Sequence, residues 1–284
     1  MAAKLLDGKL IAAQVEEALT QRIAALAKRG TVPGLTVILV GDDPASQTYV
    51  RNKEKACARL GIRSQTLRLP AAASQQELEA AIVRANQDEA VHGILVQLPL
   101  PGHLDAEHAL ALICPEKDVD GFHEVNLGRL MRGTADVVAC TPKGVMRMLD
   151  SAGIDPAGKN AVVVGRSLIV GKPMALLLLQ KNGTVTICHS GTKDLKAQTL
   201  QADILISAVG KAGFVTEDMV KDGAVVIDVA MNRNAEGKLC GDVDYAAVSQ
   251  KASAITPVPG GVGPMTRVML LENTLTACRQ QNGL

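Results

Sequence analysis

Apolar residues recur at helical spacing near the start of the chain. Ile11, Val15, Leu19, Ile23 and Leu26 fall on one face, and Gly30 stands where a helix would stop. The pattern predicts a helix over 7–28. Residues 35–40 form a short apolar run with Gly41 behind it, as in a strand covered on both faces. Asp43-Pro44 supplies a cap and a first-turn proline for a helix that runs to Leu60 and ends at Gly61. Residues 62–69 read as extended. Ser74 and Glu77 stand in capping-box spacing and open a helix over 74–86. Residues 93–98 form a further strand, broken by Pro99 and Pro101. Repeated strand–helix–strand order predicts an α/β fold, a parallel sheet with helices on its faces.

The alternation falters after Pro115. Pro115-Glu116-Lys117-Asp118-Val119-Asp120-Gly121 is charged and poor in apolar residues, and reads as a loop. Thr141-Pro142 caps a helix through Leu149. A second series follows, with strands over 161–164, 184–188, 204–207 and 224–228 and a helix over 170–180. A domain boundary is therefore placed near residue 140. Residues 257–264, Pro-Val-Pro-Gly-Gly-Val-Gly-Pro, alternate breakers of helix and strand, so the segment is expected to be neither. It is either a plain rigid linker or a place where bare backbone approaches a ligand. An apolar helix over 265–278 follows.

Composition narrows the function classes. With 284 residues, 47% hydrophobic and 21% charged, the chain can build two globular domains, and disordered or collagen-like classes drop out. Thirty Lys and Arg against 29 Asp and Glu leave a formal charge of +1, which offers no basic footprint for nucleic acid or a membrane surface. Two Tyr, two Phe and no Trp mean an aliphatic core and too few rings for base stacking. Six scattered cysteines without a C-x-x-C pair read as small hydrophobes in a reducing cytoplasm, and five histidines show no metal-ligand spacing. Met1-Ala2-Ala3-Lys4-Leu5-Leu6-Asp7 lacks the apolar core of a secretory signal. No apolar run approaches the ~20 residues of a membrane span.

Four places carry candidate chemistry. Strand, glycine turn and helix succeed one another through Val164-Gly165-Arg166-Ser167-Leu168-Ile169-Val170-Gly171, the context of a dinucleotide pyrophosphate site, although the spelling departs from G-x-G-x-x-G. A tight strand-to-helix turn is the simpler alternative. NAD-binding folds carry an acid about 20 residues further on for the ribose hydroxyl. Here the next strand ends in His189-Ser190-Gly191-Thr192, with no acid, while Arg166 sits in the turn; a 2′-phosphate suits that set, which favours NADP over NAD. Tyr49 and Lys53 share a helix face four residues apart. Lys53 is either a solvated charge or a desolvated amine lowered from its usual pKa of about 10.4 into the range of a general base. Gln97 interrupts an apolar strand at the end where open α/β sheets place ligands, so it either satisfies backbone or reaches a cleft. Asp118 and Asp120 are turn residues or, in a cleft, partners for an amino-pyrimidine-like edge.

Taken in order, these segments resemble the bifunctional methylenetetrahydrofolate dehydrogenase/methenyltetrahydrofolate cyclohydrolase family. The resemblance spans almost the whole chain. It rests on Tyr49-x-x-x-Lys53-x-Lys55-Ala56, Val96-Gln97-Leu98-Pro99-Leu100-Pro101, Pro115 to Gly121, Cys140-Thr141-Pro142-Lys143-Gly144, Gly165-Arg166-Ser167 with Ile169-Val170-Gly171, and Pro257 to Thr266. It implies two α/β domains flanking a cleft. The first covers 1–140 and is completed by the returning C-terminal helix 265–284; the second, 141–264, is Rossmann-like and binds NADP. It implies oxidation of 5,10-methylenetetrahydrofolate to the methenyl form and hydrolysis of that to 10-formyltetrahydrofolate. Lys53 falls on the family's essential lysine, Gln97 on the glutamine that tunes it, Asp120 on the pterin anchor, and Tyr49 on the ring that packs on folate. Gly165, Arg166, Ser167 and Ser190 fall on cofactor positions, with Met231 at the nicotinamide end. Leu98, Pro99, Gly260, Gly261 and Pro264 fall at the substrate. A cytoplasmic homodimer joined through the cofactor domain is implied as well. Rival readings are an NADP-dependent dehydrogenase of the shikimate type, a member retaining one activity, and a non-enzymatic nucleotide-binding module.

Overall fold

The computed structural model describes residues 3–284. Met1 and Ala2, part of the stretch read for a secretory signal, lie outside the described residues. The chain begins with β1 (Lys4–Leu5), α1 (Gly8–Ala27), β2 (Gly34–Val40), α2 (Pro44–Leu60), β3 (Arg63–Leu69), α3 (Gln75–Gln87) and β4 (Gly93–Val96). Then come α4 (Ala106–Ala111), α5 (Glu124–Arg132), α6 (Cys140–Ala152), β5 (Asn160–Val164), α7 (Gly171–Gln180) and β6 (Thr184–Cys188). The remainder is α8 (Leu195–Thr199), β7 (Ile204–Ser207), β8 (Val225–Asp228), the short antiparallel pair β9 (Asn232–Arg233) and β10 (Leu239–Cys240), α9 (Tyr245–Val248), β11 (Ala254–Ile255) and α10 (Val262–Gln281).

Two compact units result. One comprises Val15–Val138 with Leu270–Leu284. Its parallel sheet runs β3-β2-β4. All seven residues of β2 are buried, as a central strand covered on both faces must be. Ile38, Val40, Leu78, Ile82, Ile94 and Val96 pack into its core. β3, at the edge, alternates exposed polar residues with half-buried ones, which blunts the open edge. The charged stretch 115–121 is the expected loop, but it runs along the free side of β4. The Ile94 N–H donates to the Lys117 carbonyl at 2.8 Å, and Ile94 bridges Asp118 in parallel. Helix α5 beyond it escapes the sequence reading because its nine residues carry few apolar positions.

The other unit comprises the segment up to Gln14 with Ala139–Met269. Its six strands, all parallel, run β1-β11-β8-β7-β5-β6 around a core that includes Val162, Val164, Leu205, Val226 and Ile255. The expected first domain over 1–140 is therefore corrected at its start: β1 pairs with β11, Lys4 beside Ala254 and Leu5 beside Ile255. A two-residue strand has no periodicity to announce it. Two further expectations change. The glycine–proline stretch was expected to stay out of any helix up to Pro264, yet α10 opens at Val262. Pro264 fits there because first-turn N–H groups have no intrahelical acceptor to lose. Nor does Thr141 cap α6. That helix starts at Cys140 after Ala139, and the Thr141 hydroxyl pairs with that of Thr266 at 2.9 Å.

None of the six cysteines is in a disulfide, and no helix among the described residues is long and apolar enough to cross a membrane.

Candidate active site and dinucleotide cradle

In the three-stranded unit the register of α2 is set at both ends. The Asp43 carboxylate accepts the Ser46 N–H at 2.7 Å, and Gly61 closes the helix in the left-handed region at φ 81°. Val50, Ala56, Cys57 and Leu60 turn inward. Tyr49 and Lys53 lie on another stripe, the ring 48% exposed and the lysine partly buried. Lys53 Nζ donates to Gln97 Oε1 at 2.9 Å, and Gln97 Nε2 donates to the Leu98 carbonyl at 2.7 Å. Gln97 thus satisfies a backbone carbonyl, one of the two expectations for it, and also holds a lysine. It stands just past β4, which ends at Val96 rather than at residue 98, and its own N–H donates to the Ile38 carbonyl. Leu98 is partly buried, and Pro99, joined to it by a cis peptide, is exposed.

The two loop aspartates do different work. Asp118 is buried, and its carboxylate accepts the N–H of Gly121 at 3.0 Å, the N–H of His123 at 2.9 Å and Asn126 Nδ2 at 2.9 Å. It holds the loop in shape. Asp120 is partly buried and accepts no hydrogen bond from the described residues. Burial pushes its carboxyl up to about 7; the nearby Lys53 ammonium opposes the rise and the Asp118 charge adds to it. A lysine held by an amide, beside a carboxyl poised to exchange a proton near neutrality, is a site with acid–base capacity.

In the six-stranded unit the chain leaves β5 for β6 on one side and returns to β7 on the other. The carboxyl ends of β5 and β7 therefore flank the switch point, where open parallel sheets bind ligands. Gly165 turns there at φ 132°, and a Cβ on it would stand 2.5 Å from the Ala208 carbonyl oxygen. A Cβ on Gly171 would stand 2.2 Å from the Gly165 carbonyl oxygen. The two glycines thus serve the turn and the close helix packing of a dinucleotide motif despite the altered spelling. Ser167 Oγ accepts the N–H groups of Val170 at 3.2 Å and Gly171 at 3.3 Å, so it caps α7. Arg166 and Ser190 are exposed and each follows by two residues a paired position, Val164 beside Cys188. Arg166 makes no ion pair or hydrogen bond among the described residues. His189 Nδ1 accepts the Gly191 N–H, which pins the turn carrying Ser190. Met231, 51% exposed, follows β8. Gly260 and Gly261 lead into α10, Gly261 buried and Pro264 partly buried in the first helical turn. A bare-backbone cradle beside a free guanidinium and hydroxyl fits a phosphorylated dinucleotide.

Sequence reasoning missed two carboxylates in this unit, Asp228 and Asp242. Asp228 is buried, and burial together with the Asp242 charge pushes it up to about 6 against the pull of the N–H groups of Val243, Asp242 and Ala230. The one local signal was the pair of acids in Gly241-Asp242-Val243-Asp244.

Comparison with known proteins agrees with this division of chemistry. Residues 6–120 match the model of the tetrahydrofolate dehydrogenase/cyclohydrolase catalytic domain, and residues 139–282 match that of its NAD(P)-binding domain. The bifunctional protein FolD of Polaromonas sp. (strain JS666) is 59% identical over 280 residues, covering 99% of this chain and 100% of its own. Among solved structures, the bifunctional FolD methylenetetrahydrofolate dehydrogenase/cyclohydrolase of Campylobacter jejuni superposes with a TM-score of 0.96 at 50% identity over all of both chains. The Trypanosoma brucei N5,N10-methylenetetrahydrofolate dehydrogenase-cyclohydrolase, solved with NADP cofactor and an inhibitor, gives 0.94 at 42% identity, covering 100% of each chain. A shikimate 5-dehydrogenase from Listeria monocytogenes shares the fold alone, at 14% identity and a TM-score of 0.50 over 89% of this chain and 92% of its own. The shikimate-type alternative recedes accordingly, and the chain belongs to the tetrahydrofolate dehydrogenase/cyclohydrolase family.

Proposed function

We propose that this chain is a bifunctional one-carbon folate enzyme. It oxidises 5,10-methylenetetrahydrofolate with NADP⁺ and hydrolyses the resulting 5,10-methenyltetrahydrofolate to 10-formyltetrahydrofolate. The observation that carries the reading is the bond from Lys53 to Gln97 with Asp120 close enough to feel the ammonium charge. Val15–Val138 with Leu270–Leu284 is the catalytic and folate-binding unit, and Ala139–Met269 is the core of the dinucleotide unit.

The hydrolysis needs a water placed against the electrophilic methenyl carbon and a group that accepts its proton. Lys53 as the neutral amine is that group, and Gln97 fixes where its nitrogen stands. Asp120, able to donate or accept near pH 7, pairs with the amino-pyrimidine edge of the pterin. The exposed Tyr49 ring gives folate a flat wall. Leu98, Pro99, Gly260, Gly261 and Pro264 supply apolar and backbone contacts. When bound, NADP⁺ supplies the hydride acceptor for the methylene carbon. Gly165 and Ser167 form the turn at its pyrophosphate, Arg166 and Ser190 take the 2′-phosphate, and Met231 packs at the nicotinamide end. The protein's part in that step is alignment of two flat ligands.

The same reading makes the protein a cytoplasmic homodimer. Six cysteines outside any disulfide suit a reducing compartment, and β6 leaves an open sheet edge with Ile187 and, on α7, Leu179 exposed for a second copy. The deciding assay follows methenyl absorbance after methylenetetrahydrofolate is mixed with NADP⁺ or NAD⁺. Formation with NADP⁺ followed by decay is expected; no turnover with either cofactor overturns the assignment.

A further inference from the structure

We propose that Asp242 is the positioning residue of the dinucleotide site, a buried anion that shapes the loop after β7 by gathering its backbone N–H groups. The inference rests on the cofactor reading above. Asp242 has no exposed surface. Its Oδ2 accepts Ser207 Oγ at 3.0 Å, the Val209 N–H at 2.7 Å and the Gly210 N–H at 3.3 Å. Its Oδ1 accepts the Lys211 N–H at 2.8 Å and Asn232 Nδ2 at 3.0 Å. Five donors from the ends of two neighbouring strands thus converge on one carboxylate, and three of them are consecutive amides, the arrangement of an anion-binding nest.

The loop so gathered forms one side of the switch point. It begins at Ala208, whose carbonyl oxygen stands against Gly165, so its path sets the space left for the cofactor turn. Asn232 extends the hold to the segment after β8, next to Met231. Asp242 is itself delivered by a second carboxylate. Asp228 accepts the N–H groups of Asp242 at 3.1 Å and Val243 at 2.8 Å, and a Cβ on Gly241 would meet Asp228 Oδ2 at 1.9 Å. Only glycine lets that strap lie so close. No part of Asp242 needs to touch the cofactor; it acts through the loop.

Asp242→Asn keeps the shape but turns an NH₂ donor toward groups that are themselves donors. The NADP⁺ KM should rise about tenfold or more, with kcat recovered at saturating cofactor. Hydrolysis of supplied methenyltetrahydrofolate, which consumes no dinucleotide, should stay within about twofold of the parent, since a buried polar change away from the reacting groups leaves their geometry in place. Ser207→Ala, which removes one of the five donors, should raise the KM by about two- to threefold. An unchanged KM in both variants overturns the proposal, as does a parallel loss of both activities in Ser207→Ala. Should Asp242→Asn not fold, Ser207→Ala and Asn232→Ala decide it by the same split. A parent enzyme without NADP⁺-dependent turnover would instead refute the cofactor reading.

Discussion

Each unit shapes a loop at the carboxyl ends of its parallel strands with a buried aspartate, yet the two loops present different things. Asp118 gathers three donors and leaves a second acid, Asp120, uncompensated beside Lys53. Asp242 gathers five donors in a loop whose neighbours at the switch point are bare backbone and one free guanidinium. The first arrangement holds titratable side chains in a costly, partly desolvated state, where proton transfer becomes easy. The second holds peptide groups and a permanent charge, which bind phosphate and transfer nothing. On the proposed function, the titratable pair Lys53 and Asp120 belongs to the hydrolysis, and the gathered peptide groups belong to the cofactor.

The sharpest way to break this contrast is Lys53→Ala. It should lower cyclohydrolase turnover by about 100-fold or more while the NADP⁺ dissociation constant stays put. Retained hydrolysis at the parent rate would remove Lys53 from its role. Asp118→Ala should cost about 2–3 kcal/mol in denaturant unfolding, because three donors lose a buried acceptor, and hydrolysis should fall as Asp120 loses its support. A stability unchanged within error would mean the loop holds itself. Arg166→Ala tests the other unit: the NADP⁺ KM should rise about tenfold with little change for NAD⁺, and equal effects would refute a 2′-phosphate contact.

The smallest effect is a matter of pH. The folded Asp120 carboxyl holds its proton up to about 7, against the ordinary aspartate value of 3.8, so the folded state binds that proton more tightly than the unfolded chain. Its contribution to stability is complete below 3.8 and is lost as pH rises through 7. Asparagine, neutral throughout, escapes the loss. Asp120→Asn should therefore gain more over the parent at about pH 8 than at about pH 5 in thermal or urea unfolding. A gain independent of pH would show that Asp120 titrates normally.

What was legible in the sequence was what is encoded locally. Asp43-Pro44 and Gly61 bound α2 in the structure as in the sequence, and Ser74 with Glu77 forms the capping box. The alternation of strands and helices was sufficient for the parallel sheets. Distant partnerships were not legible from spacing. Lys53 and Gln97 lie 44 positions apart, and only the family resemblance joined them before the coordinates did. Asp118 read like any turn acid. Asp242 lies 31 to 35 residues from the loop it organises, so nothing near it in the chain reveals the donors that meet it. The G-x-G-x-x-G spelling misled in the opposite direction: Gly165 and Gly171 make the expected close approaches although the letters between them differ.

The pairing of β1 with β11 bears on how the protein is made. Lys4 and Leu5 leave the ribosome long before their partners Ala254 and Ile255. β1, at one edge of the six-stranded sheet, must therefore wait, unpaired, until β11 has been synthesised. Pairing across so much chain is slow, because loop closure precedes any reward from contact. Until that pair closes, β11 is the sheet's open edge, and β1, made before every other strand of its sheet, is among the last to find its place.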